Sequence, residues 1–145
     1  MSKRLDIKEQ LRRNTVALIS LVVAITSLGY NTWRNEASEH NRNQRLVSIE
    51  VLRNLGELQQ IVLDMHYGKK EDLASNSRAG WALVLTIHDL AMVLDEPLPT
   101  KAKWFKDEWS SRSSGLRNDD ADERRILASL DVMREDIHGL LRDLD

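Results

Sequence analysis

Thr15 to Trp33, TVALISLVVAITSLGYNTW, is the stretch whose reading decides the fold. It holds 19 consecutive uncharged residues, and Val16 to Leu28 is almost wholly apolar. At about 1.5 Å per residue this predicts a helix of roughly 28 Å, close to the thickness of a bilayer core. The strictly apolar part is shorter, so the span works with Tyr30 and Trp33 seated at the membrane interface, a depth that suits rings with one polar edge. Two other readings compete: a buried core helix, which rarely runs this far without a polar face, and a cleavable signal cut near Ser27-Leu28-Gly29. A retained transmembrane helix fits best.

Working outward, charge divides at the span. Met1 to Asn14 carries Lys3, Arg4, Lys8, Arg12 and Arg13 against Asp6 and Glu9, a net of +3, whereas everything after Trp33 carries 16 basic against 21 acidic residues, a net of −5. Basic flanks are retained in the cytoplasm. The expected topology is therefore a cytoplasmic tail at 1–14, a span at 15–33 and an outer domain at 34–145. In a bacterium this means a single-pass protein of the inner membrane with a periplasmic domain. Arg34, Arg42 and Arg45 follow the span and soften the contrast. The tail has no room for an output module. The chain has no cysteine, which excludes disulfides, thiolate metal sites and thiol catalysis. The acidity of the outer part argues against nucleic acid as a partner.

Inside the span Ala17, Ser20, Ala24 and Ser27 recur on one stripe, and small residues there let helices approach closely in lipid. Asn31 to Arg45 is polar and free of proline, so the span is expected to continue outward as helix. Helices are expected at about 36–66, 77–94, 100–109 and 120–144. In the first, Leu52, Leu55, Leu58, Val62 and Met65 form the packing stripe, and Gly68 is expected as a left-handed cap. The second, apolar around most of its circumference, is expected to be the central and most buried helix. Pro97 and Pro99 end it. The third places Trp104, Phe105 and Trp109 among lysines, where they either dock a partner, lie on lipid, or cap the bundle with rings inward. Ser110 to Asn118 reads as a flexible loop. The last carries the most regular stripe, Ile126, Leu130, Met133, Ile137, Leu140 and Leu144, behind an Asp119 or Asp120 cap. The fold class is all-α: a long amino-terminal helix leading into a bundle of three to four helices with coiled-coil-like packing.

Chemistry finds little support. Glu135 and His138 match the E-x-x-H spacing of di-iron bundles, but His40, His66 and His88 have no glutamate three residues before them, so no second pair exists. His88 beside Asp89 reads as a buried imidazole holding one hydrogen bond. There is no G-x-S-x-G and no glycine-rich phosphate loop. The expectation is a non-catalytic protein without cofactor or metal. Its partners are membrane lipid and either copies of itself or other membrane subunits, in an assembly or accessory role. The competing expectation is an outer sensor domain that signals through a partner. A pocket of convergent polar groups between the helices would distinguish it.

Overall fold

The structure, a computed structural model, describes residues 14–144. The basic tail expected at the amino terminus therefore lies, apart from Asn14, outside the described residues. The chain divides into two compact units, Met1–His40 and Asn41–Asp145. All regular structure among the described residues is helical. The four α-helices are α1 (Thr15–Tyr67), α2 (Leu73–Ala91), α3 (Leu98–Arg112) and α4 (Asp120–Asp143), with a single 3₁₀ turn at Lys70–Asp72 before α2. The first unit is one helical segment, exposed along its whole described length. The polar residues after Trp33 do not interrupt α1, because no proline intervenes and exposed polar residues sustain a helix.

In the second unit each helix contributes one buried seam with the same rhythm. On α1 the seam is Gln44, Ser48, Val51, Leu55, Leu58, Val62 and Met65, at alternating steps of four and three. Gly80, Val84, Ile87 and Ala91 continue it on α2, Leu98, Ala102, Phe105 and Trp109 on α3, and Ile126, Leu130, Met133 and Ile137 on α4. A 3.5-residue repeat on every member lets the seams interlock as knobs into holes. Leu94 and Leu116 close the core from the connections. Full burial of each large apolar side chain contributes about 1.5–3 kcal/mol, so this common seam is what holds the four helices together.

α3 packs against both α2 and α4 and supplies the two largest fully buried side chains, Trp109 and Phe105. α2 is therefore not the most buried helix. The expectation for α2 is corrected: its apolar circumference exceeds its contact, and Leu85, Met92 and Val93 face outward. α2 also lies close to α3 because Gly80 leaves room for a ring. A Cβ at Gly80 would sit 2.6 Å from the Trp109 ring, and Trp81 meets Trp109 edge to face at 6.4 Å.

Helix ends differ from expectation for identifiable reasons. α2 starts at Leu73 out of the 3₁₀ turn, four residues before the expected start at 77. It finishes at Ala91, where Val93 and Leu94 donate to the carbonyls three residues earlier and tighten the last turn. α3 begins at Leu98, ahead of Thr100, since Pro99 stands in the first turn where no amide hydrogen is required. It then runs to Arg112, into the expected loop. The rest of that segment is a series of turns pinned by fully buried Leu116. Asp119 caps α4, accepting from the Ala121 amide at 2.7 Å. Gly68 is not left-handed, for no described glycine has positive φ. It closes α1 through its amide to the Asp64 carbonyl.

Candidate assembly surfaces

Ala17, Ser20, Ala24 and Ser27 are all exposed on the first unit, as are Tyr30 and Trp33. The Tyr30 and Trp33 rings lie 6.2 Å apart. Two hydroxyls in this segment bond within the helix, Thr26 to the Val22 carbonyl at 2.8 Å and Thr32 to the Leu28 carbonyl at 3.0 Å. A hydroxyl satisfied in this way can enter an apolar medium without an unpaired donor. Thr15–Tyr67 is the one described helix long and apolar enough to cross a membrane, and none of its apolar window is buried.

In the second unit the residues named for bundle or partner packing go to the domain's own core. Leu55, Leu58, Val62, Ile126, Leu130, Met133 and Ile137 are fully buried, while Leu52 lies at the edge of the core. The aromatic cluster separates. Phe105 and Trp109 point inward and are unavailable to a partner, which corrects their candidacy for docking. Trp104 alone is exposed, at 43%. The helical period explains this: 105 and 109 continue the Leu98–Ala102 seam, and 104 is rotated off it.

Sequence reasoning missed the polar residues that fasten α1 to the rest. The Gln44 amide donates to the Val93 carbonyl and accepts from the Asp95 amide, both at 3.1 Å. Arg134 on α4 reaches the Gln59 side chain and the Leu55 carbonyl. At the far end of α1, His66 Nδ1 lies 2.5 Å from the Leu116 carbonyl, and Arg117 donates to the Gly68 carbonyl at 3.0 Å. None of these partners is near in sequence, so no local pattern points to them. Arg112 at the end of α3 joins that helix to α4, bonding Glu108 of its own helix at 2.7 Å and Asp122 at 2.9 Å. Both bonds raise the affinity of its guanidinium for its proton. On the surface, the hydrogen bond from Arg53 holds the Glu50 carboxyl below its usual range.

The histidines do not gather. His88 is half-buried, with Nδ1 at 3.1 Å from the exposed Asp89 carboxylate. Glu135 and His138 are exposed on α4. Among the described residues no three His, Asp or Glu side chains converge as a metal site. Large apolar side chains that do remain outside are Leu46 and Ile49 on α1, with Leu85, Met92 and Val93 at and beyond the second half of α2. Comparison with protein-family models, with curated proteins and with solved structures finds no match.

Proposed function

We propose that this chain is a single-pass, non-catalytic membrane protein whose helical domain serves assembly, as a homo-oligomer or as an accessory subunit of a larger membrane complex. The observation that carries the reading is the bare apolar segment at the start of α1. A surface of that length and composition is costly in water, and lipid or other membrane helices relieve the cost. The stripe of Ala17, Ser20, Ala24 and Ser27 supports close helix contact there, and Tyr30 and Trp33 support an interfacial depth. The basic tail and acidic domain favour the tail inside and the domain outside, in the periplasm if the membrane is a bacterial inner membrane. The domain's core is complete in itself, so its contribution to assembly falls to exposed groups such as Leu46, Ile49, Met92, Val93 and Trp104.

The test is the composition of the native particle. A tag at the carboxyl end, extraction in mild detergent and mass measurement of the purified particle identify every chain in it. A defined multiple of this chain, or stoichiometric foreign membrane chains, is the expected result. A bare monomer in every detergent tried would overturn the assembly role.

A further inference from the structure

At the amino-terminal end of α2 the second unit contains a cavity of about 390 Å³, within the range of small-molecule sites. Its floor is apolar, made by Met65, Leu73 and Ala74. Its polar wall has one sign. Lys70 and Arg117 border it with the hydroxyls of Ser77, Ser113 and Ser114, and no carboxylate lines it. This is unusual in a domain whose net charge is negative. The Lys70 side chain forms no ion pair or hydrogen bond among the described residues, and the Arg117 side chain bonds only the Gly68 carbonyl. Ser113 is only 8% exposed, and its hydroxyl makes no hydrogen bond among the described residues. A hydroxyl that opens on a cavity is free to donate to an acceptor bound there. We infer that this cavity binds a small anion bearing a short apolar chain, a carboxylate or a phosphate monoester, with the charge at Lys70, Arg117 and Ser113 and the chain over Met65 and Leu73.

Both cations suit the anionic head, Arg117 by its fork of donors and Lys70 as a mobile point charge. The cavity, and not the His88–Asp89 pair at the other end of α2, is where polar groups converge between helices. This inference does not depend on the assembly role proposed above, which a monomeric ligand-binding protein would lack.

The same chemistry occurs in a free metabolite and in an anionic lipid headgroup, and one experiment separates them. The full chain is placed in phosphatidylcholine nanodiscs with its methionine methyl groups labelled for NMR. Met65 reports the cavity, while Met92 and Met133 serve as references. The probes are hexanoate, hexyl phosphate and hexanol. Saturable movement of the Met65 signal with either anion is expected, with hexanol about tenfold weaker or more, the equivalent of one lost charge-assisted contact. Lys70→Gln should weaken anion binding by about tenfold and Lys70→Glu should abolish it. The Lys70 side chain bonds nothing among the described residues, so unchanged helical circular dichroism is expected in both. A Met65 response to the soluble anions identifies a free ligand. A response confined to nanodiscs containing phosphatidylglycerol identifies a headgroup. Equal binding of hexanol, undiminished binding by Lys70→Glu, or no Met65 response in any condition overturns the inference.

Discussion

Gln44 completes hydrogen bonding that α2 leaves undone at its carboxyl end. Its amide takes up the Val93 carbonyl and the Asp95 amide together, so one buried side chain supplies a donor and an acceptor to backbone groups that the helix no longer pairs. Replacing Gln44 by Leu fits the seam sterically but strands both groups. The expected loss is about 1–3 kcal/mol of stability, measured as a lower thermal midpoint of the full chain in detergent. Equal stability of the wild type and the Leu variant would show that water satisfies these groups instead. At this scale little was legible in the sequence. Gln44 stands in the polar run of Asn31 to Arg45 and reads as surface, and its partners lie 49 and 51 residues away. Arg134, His66 and Arg117 were obscure for the same reason.

At the scale of the element, periodicity carried most of the reading. The α4 stripe from Ile126 to Ile137 is buried as its spacing predicts, and the α1 stripe needed only a shift from Leu52 to Val51. Both are strongly amphipathic, so the apolar side and the inner side coincide. α2 misled because it is apolar nearly all round, and such a pattern does not say which face is covered. Trp104, Phe105 and Trp109 are ambiguous in sequence because adjacent positions on a helix diverge by about 100°, and only the seam through Leu98 and Ala102 orients them. The span is a further matter of spacing. Leucine at Ala24 and Ser20 together should keep α1 helical and apolar while filling the gaps on the small-residue stripe. The expected outcome is a particle of lower mass in mild detergent, with unchanged membrane content. A particle of unchanged size would refute the stripe.

At the scale of the molecule the proposed orientation rests on the charge difference across the apolar segment, and the composition of the chain makes it simple to test. No native cysteine competes for a maleimide. A membrane-impermeant maleimide applied to intact bacterial spheroplasts should label Arg142→Cys and not Ser2→Cys, and lysis should make both react. The reverse pattern would place the domain in the cytoplasm and turn the assembly role into that of a tethered internal scaffold. The all-helical class and the order of its helices were legible because they depend on the period of the apolar residues. The anion cavity was not, for Lys70, Ser77, Ser113 and Arg117 come from three separate segments whose meeting is a product of tertiary packing.

The glycines also carry a historical consequence. None of those described needs a left-handed backbone, so space alone decides which of them can vary. At Gly29, Gly56 and Gly139 a Cβ meets nothing within 4 Å, and alanine there should favour the helix by about 0.5–1 kcal/mol each. Gly68 abuts the Asp64 carbonyl, Gly80 the Trp109 ring and Gly115 the Asp122 carboxylate. As lineages carrying this chain drift apart, alanine should come and go at the first three positions. Gly80 and Gly115 should stay glycine for as long as Trp109 and Asp122 persist, or change only in step with them, whereas Gly68, which faces backbone, should stay glycine throughout.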